Sequence, residues 1–163
     1  MTLFALAKLV HVASVIWMIS GFLGRTYALD ASSRATDVRV TKLLADLSGR
    51  FETTMIIPGY SVVLVTGVAT AFLGQYSILG PLQDGPVWIF ASLLLFIVIG
   101  LLVPTVFIPR GKIFGAALEQ AISQGEVTDR LRRAFVDPAI RLAHGAELGI
   151  LALIVVLMVL KPF

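Results

Sequence analysis

Four long apolar blocks most constrain what this chain can fold into: residues 3–27, 51–75, 87–109 and 139–160. Crossing a hydrocarbon core takes roughly 20 helical residues, so each block is long enough to span a bilayer. Hydrocarbon cannot satisfy backbone hydrogen bonds, so each span must be helical. The hydrophobic share is 58% of 163 residues, against about 45–50% in soluble domains. We therefore predict an all-α fold, in which residues 1–163 form one four-helix transmembrane bundle in the lipid bilayer.

The positive charges are concentrated in two of the three connections. The connection between spans 1 and 2, with its edges, carries Arg25, Arg34, Arg39, Lys42 and Arg50, and the connection between spans 3 and 4 carries Arg110, Lys112, Arg130, Arg132, Arg133 and Arg141. Residues 75–86, between spans 2 and 3, carry no Lys or Arg. Basic connections stay in the cytoplasm, which places both termini outside. Because the basic residues follow membrane topology and alternate with acidic ones, we expect them to contact anionic headgroups and not nucleic acid.

The two basic connections have amphipathic helical patterns. In residues 36–49, Thr36 is a plausible N-cap and Gly49 a plausible stop before span 2. The Pro58–Gly59 pair is expected to kink span 2. The second connection reads as two helices separated at Gly125, and Asp137–Pro138 as the N-cap and first residue of span 4. We expect both connections to be amphipathic and cytoplasmic.

Ionisable residues inside a span are costly and therefore mark candidate sites. At 100° per residue, span 1 places Lys8, His11, Ser14, Met18 and Arg25 on one stripe that faces the bundle interior. His144 and Glu147 share a face of span 4. Since span 1 runs inward and span 4 outward, the two histidines differ in depth by very roughly 15 Å. That difference argues against one iron bound by both.

A second polar group is expected at the cytoplasmic ends of the spans. Its members would be Arg25, Arg50, Glu52, Arg141, His144 and Glu147. Arginines beside a carboxylate and a histidine suit an anionic ligand such as a propionate, a phosphate or a quinone oxygen. They also suit proton handling, since histidine titrates near neutrality.

Structural roles account for the same residues. His11 can form a hydrogen bond to a neighbouring helix, and Glu147 can form an ion pair with Arg25 or Arg141. The Gly145-x-x-x-Gly149 motif can pack within the bundle or against another chain. The sequence has no cysteine, which excludes disulfides, iron–sulfur clusters and cysteine nucleophiles. It also lacks the nucleotide-binding loop, zinc-protease and serine-hydrolase motifs.

The opening of span 1, KLVHVASVIWMISGFLGR, has an early Lys-x-x-His followed by a small-residue and aromatic stretch. It resembles a bacterial family of small predicted integral membrane proteins of unknown function. The chain is more distantly similar to protoporphyrinogen oxidases of the HemJ type and to membrane domains of the copper-resistance CopD type. The resemblance implies a bacterial inner-membrane protein in which His11 has a haem, porphyrin or metal role.

Three functions remain open at this point. The first is a small membrane protein that binds haem b, another porphyrin or a metal and is redox-active as an oxidoreductase. Its cofactor-binding residues would be His11, His144, Glu147, Arg25, Arg50, Arg141 and Met18, with His11 and His144 as metal ligands. The second is a non-catalytic subunit or scaffold of a homo-oligomer or a larger membrane complex. The third is a small-solute or proton-coupled transporter.

Overall fold

The computed structural model describes residues 2–83 and 85–162, and within these residues the regular structure is entirely helical. The α-helices are α1 (Leu3–Arg34), α2 (Val38–Phe51), α3 (Ile57–Leu73), α4 (Val87–Leu102), α5 (Ile108–Gln124), α6 (Asp129–Phe135) and α7 (Pro138–Leu160). Four helical segments are long and apolar enough to cross a membrane: Leu3–Arg34, Val38–Leu73, Val87–Gln124 and Asp129–Leu160. The predicted all-α, four-span architecture is confirmed.

Two of the spans are composite helices that contain one π-helical turn each. Glu52–Ile56 joins α2 to α3, and Val103–Phe107 joins α4 to α5. Each turn ends where a backbone N–H, of Ile57 or Ile108, donates to the carbonyl five residues earlier. A proline that cannot donate comes next in both places, and the wider turn lets the helix continue past it.

The boundary expected at Gly49 is therefore wrong. The helix passes through this glycine and continues into span 2. The N-cap of α2 is Asp37, one residue after the predicted Thr36, and its carboxylate accepts from the N–H of Arg39 at 2.7 Å. The break at Gly125 is confirmed by a left-handed φ of 74°, and the Asp137–Pro138 start of α7 by a cap that accepts from Ala139 at 2.9 Å.

The bundle has two ends, which we call the termini end and the connection end. At the connection end, α2, α5 and α6 extend the spans and pack around Val38, Ala117, Ala121 and Leu131. In the middle, α1 and α3 form one pair and α4 and α7 another. The two pairs meet over a core of Met18, Phe22, Ile56, Val63, Phe96, Ile99 and Leu151. Tyr60 on α3 links the two helix pairs, since its hydroxyl donates a hydrogen bond to the carbonyl of Phe96 on α4 at 2.8 Å.

Candidate functional site

Toward the termini end the two helix pairs separate and border a half-open cavity of about 390 Å³. Its volume falls within the range of roughly 300–1,000 Å³ of small-molecule sites. Most of the lining is aliphatic or aromatic. The polar and ionisable exceptions in the lining are Lys8, His11, Thr70, Tyr76, Ser92 and Lys161. An apolar chamber with a few polar side chains is the ordinary form of a cofactor or ligand site.

His11 lies half-buried on the α1 wall of this cavity. Its Nδ1 is 3.1 Å from the hydroxyl oxygen of Thr66 on α3. The Thr66 hydroxyl donates its own proton to the carbonyl of Val62, 2.7 Å away. This arrangement favours the tautomer in which Nδ1 carries the ring proton and donates to Thr66, and in that tautomer Nε2 is unprotonated in the neutral ring.

The close approach of α3 to the His11 ring depends on Gly67. A Cβ at this position would lie 3.0 Å from Cε1 of His11. The absent side chain lets the imidazole pack directly against the α3 backbone, with Thr66 in reach. Helix α3 therefore both orients the ring and selects its tautomer, as outer-shell partners do for metal-bound histidines.

Two lysines line the cavity at the termini end. The Lys161 ammonium lies 5.4 Å from the ring centroid of Trp88 and 5.9 Å from that of Tyr76. Lys8 is exposed on the first turns of α1. Ammonium groups at the end of an apolar cavity can receive the acidic groups of an otherwise apolar molecule.

A separate set of charges, the Arg25 ion cluster, joins Arg25 to Glu52 and Glu147. Arg25 donates one terminal nitrogen to Glu52 at 2.7 Å and the other to Glu147. Arg25 and Glu147 are 5% and 1% exposed, so this is a buried contact between α1 and α7. The cluster matches the structural ion pair considered for Glu147, and both terminal nitrogens of Arg25 are engaged by carboxylates of the chain itself.

The π-turns supply two of the groups around Arg25. Glu52 belongs to the first turn, and Phe107 to the second. The Arg25 guanidinium lies 5.4 Å from the Phe107 ring centroid, and the His144 ring stacks on Phe107 at 5.0 Å. No hydrogen bond joins His144 to Glu147 in the described part of the chain, although the sequence places both on one face of this span.

The structure thus distributes the predicted residues over several environments. His11 and the buried Met18 line the cavity, whereas Arg25, Glu52, Glu147 and His144 gather near the π-turns. Arg50 and Arg141 are exposed and lie outside the Arg25 ion cluster. Their predicted role in holding acidic groups, like that of Arg25, stays a prediction. Residues 2–83 and 85–162 hold no group of three or more His, Asp or Glu arranged for a metal ion.

Sequence reasoning missed two hydroxyls of the site, that of Thr66 beside His11 and that of Ser92 in the cavity lining. Ser92 carried a signal, because it is the one hydroxyl between residues 87 and 103 of an otherwise apolar span. Thr66 carried none, since span 2 has several threonines and only the packing of α3 on α1 selects one of them.

A family model described as "Predicted integral membrane protein (DUF2269)" matches residues 5–162. With the four spanning helices, the match shows that the chain is an integral membrane protein. Comparison with curated proteins and with solved structures found no significant match.

Proposed function

We propose that this chain, which belongs to the DUF2269 family of predicted integral membrane proteins, binds haem b or a related porphyrin beside His11. The observation that carries the proposal is the Thr66–His11 pair on the cavity wall. The pair favours a neutral imidazole with Nε2 unprotonated, which is the form that coordinates iron. When bound, haem would supply one-electron redox or small-ligand chemistry.

The residues around the cavity suit a porphyrin on two further grounds. The apolar lining removes the macrocycle from water, which is where most of the binding free energy of such a ligand arises. Lys8 and Lys161, both at the termini end, can pair with its two acidic side chains. Arg25, Arg50 and Arg141 would hold acidic groups only in a second site at the connection end, where His144 and Glu147 would bind or carry protons.

Haem titration tests the proposal. Purified protein in detergent is titrated with haemin, and the Soret band is followed before and after reduction with dithionite. We expect saturable binding of one haem per chain, unchanged in His144→Ala because His144 does not line the cavity. Haemin dimethyl ester, which lacks the free carboxylates, should bind up to about tenfold more weakly because two exposed ion pairs are lost. A titration indistinguishable from that of haemin in detergent alone would refute the proposal.

A second candidate, a subunit or homo-oligomer, is favoured by the surroundings of the glycine motif in α7. No atom lies within 4 Å of a Cβ built at Gly145 or Gly149, so the motif does not pack within the described chain. We propose that the motif pairs with α7 of a second copy, since such motifs let two helices approach closely. A single cysteine at the exposed Leu142 should then form a disulfide-linked dimer in membranes, and Gly149→Leu should abolish it. Equal cross-linking with and without Gly149→Leu would argue against this pairing.

The orientation in the bacterial cytoplasmic membrane is likewise a proposal, supported by the distribution of Lys and Arg. Because the chain has no native cysteine, single introduced cysteines report sidedness directly. A cysteine at Ser123 in the second basic connection should resist an impermeant maleimide in intact cells. A cysteine at Leu79, between α3 and α4, should react with it. The opposite labelling pattern would invert the proposed topology.

A further inference from the structure

The hydroxyl of Ser92 on α4 stands apart from the other hydroxyls of the spans. Several of these donate to the carbonyl four residues earlier, as in Ser14, Ser20, Thr26, Thr66, Thr70 and Thr105. Ser92 is 2% exposed, and its Oγ has no hydrogen-bond partner among the described residues. A buried hydroxyl without a partner costs free energy, so one left in place calls for a partner that the described residues do not supply.

Ser92 lines the same cavity as His11. Their depths can be compared through the aromatic layer at the termini end. The rings of Phe4 and Tyr76 both lie close to Gly74, and Tyr76 meets Trp88 edge-on at 5.9 Å. His11 follows Phe4 by seven residues and Ser92 follows Trp88 by four, in both cases toward the connection end. At 1.5 Å per residue the two differ in depth by only about 5 Å, which is less than one helical turn.

The two groups also belong to different helix pairs. His11 projects from α1, which packs on α3, and Ser92 from α4, which packs on α7. The cavity is the space between these pairs. A porphyrin held by His11 would therefore have Ser92 on the wall formed by the other pair, at nearly the same depth.

We infer that Ser92 would be the hydrogen-bond donor for a small oxygen- or nitrogen-containing ligand that binds in this cavity together with the porphyrin. The inference rests on the proposed function and assigns it a second ligand class, a diatomic-sized molecule. Hydrogen-bond donors on the side of a haem opposite its protein ligand decide whether such molecules are retained. In the haem-loaded protein, this ligand would give the Ser92 hydroxyl the acceptor that the described residues do not provide.

Carbon monoxide is the probe for the test. The haem-loaded protein is reduced, exposed to carbon monoxide and examined by infrared spectroscopy as wild type, Ser92→Ala and Ser14→Ala. A donor to the bound molecule weakens its C–O bond, so removing the Ser92 hydroxyl should shift the C–O band to higher frequency. Ser14→Ala is the matched control, because Ser14 is also buried but its hydroxyl donates to Val10 at 2.7 Å and does not line the cavity.

The possible outcomes separate the inference from the function on which it rests. A shift confined to Ser92→Ala supports it. An unshifted band, an equal shift in Ser14→Ala, or no carbon monoxide complex of haem-loaded protein overturns it while haem binding stands. Failure of the wild type to bind haem overturns the proposed function, and the inference falls with it. The thermal midpoint of unloaded Ser92→Ala should equal or exceed that of the wild type; a clear loss would reveal a structural partner and contradict the inference.

Discussion

Arg25→Met is expected to lower the free energy of unfolding by about 3–5 kcal/mol, because it leaves a buried carboxylate without its countercharge. Glu147 is 1% exposed, and its ion-pair partner in the described chain is Arg25. Methionine keeps much of the length of the arginine stem and its packing on Phe22, so the loss reports the charge more than the volume. Denaturation from mixed micelles, followed by helical circular dichroism, measures it.

Two comparisons make this prediction specific. Arg50→Met removes the same side chain from an exposed position and should change stability by no more than about 0.5 kcal/mol. The combined Arg25→Met, Glu52→Gln and Glu147→Leu variant removes the whole cluster and should recover much of the loss, because buried ion pairs stabilise little relative to apolar replacements. If Arg25→Met and Arg50→Met cost the same, the Arg25 ion cluster does not hold α1 to α7.

The signals that the sequence does carry are local ones. Length and hydropathy define a span without reference to its neighbours, which is why the four spans and the caps at Gly125 and Asp137 followed from single segments. The interior stripe of α1 was predictable for the same reason. Ser14, Met18 and Arg25 are buried together, because one uninterrupted helix keeps 100° per residue along its whole length.

Where a helix departs from that period, the faces could not be predicted. A π-turn inserts one residue and rotates everything beyond it by roughly 100°. Glu52 lies in such a turn, so its pairing with Arg25 depends on the presence of the π-turn. The proline that follows permits a π-turn but does not by itself specify one. Arg50 and Arg141 show a different limit: charge and depth suggested that they would join the cluster, but each lies on a face of its own helix that is exposed.

Partner choice between helices was the other limit. Sequence placed His11 on the interior stripe but could not say what it met there, because Thr66 and Gly67 come from the far end of a helix that begins at Val38. The glycines of α7 show the converse. The spacing of the motif predicted close packing within the bundle or against another chain, and the described chain places nothing against it.

His11→Ala is expected to abolish haem binding, with no saturable Soret band at haemin concentrations that fill the wild type. Alanine removes the Nε2 ligand and leaves a space beside Gly67, so added free imidazole should restore the band by occupying that space. Thr66→Val keeps the shape of the side chain but removes the acceptor that fixes the ring proton on Nδ1. It should weaken binding by about 10–100-fold, as loss of such partners does at metal sites. Equal binding by the wild type and His11→Ala, with loss in His144→Ala, would move the site to the Phe107 stack at the connection end.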